Sequence, residues 1–91
     1  MLQRNEPADA LIFETEALLL YETQLVRLAP IGMAIFENTA RPIDATALTT
    51  ALIAEFGEPE GGSAAQATSE AVARLVGLGV LREVPGEGPR D

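Results

Sequence analysis

The side chains that could do chemistry in this chain are few, and most lie between residues 49 and 69. Glu55, Glu58 and Glu60 form one group of carboxylates, and Thr49, Thr50, Ser63, Thr68 and Ser69 supply hydroxyls. Three carboxylates could bind a hard cation or work as an acid–base pair. Their setting argues against both, because no calcium-loop spacing surrounds them and no apolar pocket is evident to raise a carboxyl pKa. They are expected to line a solvated loop. A hydroxyl nucleophile needs a neighbouring base, and the chain has no histidine and no cysteine. That absence removes imidazole bases, thiolate nucleophiles, disulfides and the nitrogen and sulfur ligands of zinc together. Ser63 or Thr68 therefore reads better as a helix-start residue than as a nucleophile. The expectation is a protein with no catalytic residues, no metal and no cofactor.

Composition narrows the partners. Fourteen carboxylates face six arginines and no lysine, a net charge of −8. Such a field repels phosphate backbones, and no basic stripe is present, so nucleic acid is not an expected ligand. The N-terminus "MLQRNEPADA" has neither a basic lead nor an apolar stretch, and no apolar run approaches membrane-spanning length. No membrane partner and a cytoplasmic location follow by elimination. With 91 residues, 47% of them hydrophobic, the chain is long enough for one core. That core must be aliphatic, because the only aromatic residues are Phe13, Tyr21, Phe36 and Phe56.

The elements that would position any site can be read from periodicity. "ALIFE" and "ALLLYE" are short continuous apolar runs, and "QLVRLA" alternates, with Val26 and Leu28 on one side and Leu25 and Arg27 on the other. Two "ET" pairs, Glu14-Thr15 and Glu22-Thr23, fall where two tight turns are needed, so residues from about 10 to 29 read as a three-stranded antiparallel meander. Pro30 suits the first turn of a helix carrying Ile31, Ala34, Ile35 and Asn38, which Arg41-Pro42 ends. Asp44 is the expected N-cap of a second helix through Leu48, Ala51, Leu52, Glu55 and Phe56, with Gly57 as its stop. After the polar "GEPEGGSAA", a third helix carries Ala67, Ala71, Val72, Leu75 and Val76, followed by a short apolar "VLREV". Residues 1–8 read as a flexible lead, 9–84 as the domain and 85–91 as a disordered tail.

In this order the chain resembles the PqqD family, whose domain is also called the RiPP precursor peptide recognition element. The likeness rests on a strand ending in Leu28, the "PIGMAIFE" helix, "ARPIDATALTTALIAEFG" ending in an aromatic, and "LVGLGVL". It implies a winged-helix-like α+β fold, a three-stranded meander followed by three helices. It also implies a peptide chaperone that binds the leader segment of a ribosomally made precursor and presents it to a modifying enzyme. In that family the leader adds as a strand beside the third strand and fills a groove against the third helix. Carried onto this chain, the candidate residues are Gln24, Leu25, Val26, Arg27 and Leu28 on the strand, with Ala67, Ala71, Arg74, Leu75 and Leu78 on the helix. The plainer alternatives are that Arg27 and Arg74 are solvated or ion-paired, and that Leu25 and Leu78 are rim residues of the core. Two other functions stay open: an assembly subunit that docks on an enzyme or dimerises through its edge strand, and a DNA-binding winged helix. The second is disfavoured, because "SAAQATSEAVARLVG" balances one arginine against one glutamate. Monomer and dimer are both compatible with the sequence.

Overall fold

The computed structural model describes residues 1–14 and 16–86. Eight elements follow in the order β1 (Leu2–Arg4), β2 (Asp9–Ile12), β3 (Ala17–Leu20), β4 (Leu25–Leu28), α1 (Pro30–Asn38), α2 (Ala45–Phe56), α3 (Ala64–Gly77) and β5 (Leu81–Glu83). The domain is α+β, with three helices and two antiparallel sheets. The meander expected from the apolar runs is present as β2-β3-β4. It is not the whole of the β-structure: β1 and β5 pair into a second, two-stranded sheet.

That second sheet corrects the sequence reading at both ends. Residues 1–8 were expected to be a flexible lead, yet Leu2 pairs with Glu83, makes a bridge to Ile43, and is 6% exposed. The amide of Leu2 donates to the Ile43 carbonyl at 2.8 Å and that of Asn5 to the Val80 carbonyl at 2.8 Å. Arg4 fixes the strand laterally. Its guanidinium lies 4.3 Å from the centre of the Phe36 ring, donates to the Phe36 carbonyl at 3.1 Å and pairs with Glu6 at 2.9 Å. Of the tail 85–91, only Pro85 and Gly86 are described, and the rest of that expectation lies outside the described residues.

The turns and caps follow from local chemistry. Phe13 N–H donates to the Glu16 carbonyl at 2.7 Å, and Tyr21 N–H to the Gln24 carbonyl at 2.8 Å. The Glu22-Thr23 pair therefore sits at the centre of a tight hairpin turn, while Thr15 of the first pair lies outside the described residues. Pro30 is the first residue of α1, where its missing N–H leaves no helical bond unmade. Asp44 Oδ1 accepts from Ala47 N–H at 2.7 Å, and Ser63 Oγ from Gln66 N–H at 3.0 Å. Gly57 ends α2 at φ 81°, a left-handed conformation that glycine adopts without steric cost. Thr68, a second candidate for a helix start, is instead buried in the body of α3.

One core results. Ala17 and Leu19 of β3 and Val26 and Leu28 of β4 meet Ala34, Ile35 and Phe36 of α1, Leu48 and Leu52 of α2, and Leu75 of α3. Leu2, Val80 and Leu81 close it from the two-stranded sheet. The one fully buried polar side chain among the largest buried residues, Thr39, donates its hydroxyl to the Ile35 and Phe36 carbonyls at 2.8 and 3.0 Å. A buried hydroxyl without such partners would be costly, which is why the helix end can lie inside the core.

Tyr21 joins the meander to the lead segment, its hydroxyl donating to the Asn5 carbonyl at 2.8 Å. Burial holds its phenol above the ordinary value of 10.0, with the Glu6 carboxylate adding to the rise and Arg4 opposing it. A group whose folded pKa is raised gives stability that is complete below its unfolded pKa and is lost as pH climbs through the folded one. Tyr21→Phe is expected to cost about 1 kcal/mol at neutral pH, with the gap to the unsubstituted chain narrowing under strongly alkaline conditions. Urea midpoints of the two proteins measured at both pH values check this. A gap that widens with pH would contradict it.

Candidate functional site

The meander leaves β4 at an edge, since the strand order is β2-β3-β4. The pairing register determines which backbone groups face out. Tyr21 and Gln24 close the β3–β4 turn with a hydrogen bond, so hydrogen-bonded pairs recur at Leu19–Val26 and Ala17–Leu28. The amides and carbonyls of Leu25 and Arg27 therefore point to the open edge. Among the described residues no backbone partner meets them.

The third helix touches the start of β4 at its C-terminal end and α1 in its N-terminal half. At one end the Gln24 side-chain amide donates to the Leu78 carbonyl, which caps the last turn of α3 from the start of β4. At the other end Ile31, two residues beyond Ala29, shares a cleft with Ala67 and Ala71. The cleft has a volume of about 270 Å³, and Leu52, Ile53, Phe56 and Pro59 complete its mainly apolar lining. Alanine at 64, 67 and 71 keeps α3 thin on this side, leaving the space that larger residues would fill.

The ten sequence-derived site residues separate into three groups. Ala67 and Ala71 line the cleft, Arg74 and Leu78 continue the same stripe of α3 and are exposed, and Gln24 ties the far end. Val26, Leu28 and Leu75 are core residues, so their side chains form the floor under the edge and do not reach its surface. Leu25 and Arg27 lie on the opposite face of the sheet from that core, Leu25 paired with Leu20 and Arg27 opposite Leu18. Arg27 is ion-paired there, its Nη2 2.7 Å from Glu16 Oε1 and its Nε 3.0 Å from the same oxygen. A side-chain groove flanked by Leu25 and Leu78 is accordingly not what the strand twist and register produce; their backbones, not their side chains, share the edge region.

Ile31, Leu52, Ile53 and Phe56 were missed as cleft residues. Their helical spacing marks them as apolar but cannot say where a helix outruns the core, and Ile31 and Phe56 sit at such ends, both exposed. Among the described residues no three acidic side chains group as a metal site, and no helix is long and apolar enough to cross a membrane. Glu58 borders the cleft, while Glu55 and Glu60 are exposed. No protein-family model matches the chain, and searches of curated proteins and of solved structures likewise return no match.

The join between α3 and β5 lies beside the Gln24 side chain. Gly79 takes φ 82°, its amide donating to the Val76 carbonyl at 3.0 Å, and turns the chain into Val80 and β5. Gly79→Ala is expected to lower stability by about 1–2 kcal/mol, the cost of a Cβ in the left-handed region. Gln24→Ala, an exposed change, is expected to leave the urea midpoint nearly unmoved while speeding amide exchange in the last turn of α3. Equal exchange in the two proteins would show that the Gln24 contact does not hold that turn.

Proposed function

We propose that this domain is a non-catalytic adaptor that binds the leader segment of a ribosomally made precursor peptide by strand addition and presents it to a modifying enzyme. The observation that carries the proposal is the open edge of β4, with the Leu25 and Arg27 backbone groups unpaired and the end of α3 tied to the start of the strand through Gln24. An extended peptide laid there makes main-chain hydrogen bonds worth about 0.5–1.5 kcal/mol each, and the apolar cleft at Ile31, Phe56, Ala67 and Ala71 takes one of its larger side chains. The resemblance to the PqqD family supports the same use, with the meander and helices as a winged-helix-like core and the β1–β5 sheet as an addition to it. Such an adaptor works in the cytoplasm, where precursor and enzyme meet.

Proline scanning separates the backbone contribution from the side chain. Arg27→Pro removes an outward amide on an edge strand that tolerates proline, whereas Arg27→Ala removes only the side chain. Titration with the leader of a precursor encoded beside this chain is expected to shift amides in residues 24–29 and 67–78. Arg27→Pro is expected to weaken binding about 2- to 10-fold, the equivalent of one lost hydrogen bond, while Arg27→Ala stays close to the unsubstituted chain because Arg27 already pairs with Glu16. Shifts confined to other elements, or equal affinities for the proline variant and the unsubstituted chain, would remove β4 as the site.

A further inference from the structure

The meander is apolar on both of its faces, and the chain covers only one. Residues 10, 12, 17, 19, 26 and 28 alternate onto the inner face, where the helices bury most of them. The outer face carries Leu11, Phe13, Leu18, Leu20 and Leu25. Of these, Leu11 is 55%, Phe13 51%, Leu20 46% and Leu25 63% exposed. Antiparallel strands that face water on one side normally alternate apolar and polar, whereas continuous apolar runs belong to strands covered on both sides. "ALIF" and "ALLL" are runs of the second kind. No described element of the chain supplies the second cover.

We infer that the outer face of β2-β3-β4 packs against the same face of a second copy of this chain, forming a two-fold dimer with one sheet laid on the other. Charge is the argument for an identical partner. The chain carries −8 overall, so most orientations of two copies set carboxylates against carboxylates. On this face the charged groups are Asp9, Glu16 and Arg27, and Glu16 is neutralised by Arg27 at 2.7 Å. Asp9 sits at the corner, its carboxylate accepting from the Ala10 amide at 2.8 Å. Two copies can therefore meet here with the least repulsion. A negatively charged bilayer surface fits worse, because the patch has no unpaired arginine and no lysine to meet it.

Shape and area fit the same partner. Leu20 and Leu25 are directly cross-strand and Leu11 lies diagonal to Leu20, so the leucines form one continuous patch. Four side chains about half exposed amount to several hundred Å², near the roughly 300–600 Å² of the largest patch an ordinary monomer shows. Two such patches, with the polar rim around them, approach the roughly 1,200 Å² total at the low end of stable interfaces. Sheets packed face to face interdigitate their side chains at a separation of about 10 Å, a spacing that leucines on both sides fill. The contact leaves the β4 edge open, so it is independent of peptide binding there.

Sedimentation or light scattering across a concentration series tests this. The unsubstituted chain is expected to approach twice its 9.6 kDa mass as concentration rises. Leu11→Glu with Leu20→Glu, both exposed positions outside β4 itself, is expected to hold the chain at single mass with an unchanged far-ultraviolet circular dichroism spectrum. A single mass for the unsubstituted chain up to millimolar concentration overturns the inference whatever the variant does. So does a doubled mass that survives the two substitutions with the fold intact. Should that monomer instead bind phosphatidylcholine vesicles or co-purify with a modifying enzyme, the face belongs to that partner and the dimer is refuted.

Discussion

The fold depends on closing an aliphatic core with the two ends of the same domain. Leu19, Ile35 and Leu48 fill the centre, but the core is completed only when Leu2 on β1 and Val80 and Leu81 at β5 are brought together. These partners are about as far apart in sequence as the domain permits, Leu2 facing Glu83. Closing so long a loop costs chain entropy that no local contact offsets. The closure is held instead by a set of directed bonds: the Met1 amino group to the Val84 carbonyl, Arg82 to Asn5 and to the Arg4 carbonyl, and Arg4 stacked on Phe36. Phe36 is the one aromatic among the buried core residues, and its ring serves the closure directly by carrying Arg4.

This arrangement also explains how β4 can remain an open edge. A three-stranded sheet could bury its edges by curling around the helices, but the helices here are occupied on one side by β1–β5 and on the other by the inner face of the meander. The alanines of α3 face the cleft shared with α1 and α2, and Gln24 pins the one point where strand and helix ends touch. An edge of four residues with an ion-paired arginine is short enough to limit self-association while leaving room for a single added strand.

Much of the architecture was legible in the sequence because it is governed by local rules. Apolar runs broken at the two "ET" pairs marked the meander, and the structure closes a tight turn at Glu22-Thr23. Pro30, Asp44, Gly57 and Ser63 marked helix ends through their own dihedral or hydrogen-bonding preferences. β1 and β5 were not legible, since three residues carry too little periodicity to identify a strand and their partners lie at opposite ends of the chain. For the candidate site, spacing correctly put Leu25 and Arg27 on one side and Val26 and Leu28 on the other. It could not say which side the helices would take, so the cleft's real lining, Ile31 and Phe56 among it, emerged only from tertiary packing.

The β1–β5 clasp has a geometric consequence of its own. Because the first strand lies antiparallel to the last, the polypeptide enters and leaves the domain at one place on its surface. A module built this way can be spliced into a surface loop of another protein as a side-loop excursion, displacing the host's two loop ends by little more than the width of a strand pair. The same proximity lets a short linker join the ends, with new ones cut in the exposed 58–62 connection between α2 and α3. The strands that carry the chain in and out of the domain belong to one sheet, and the open β4 edge belongs to the other.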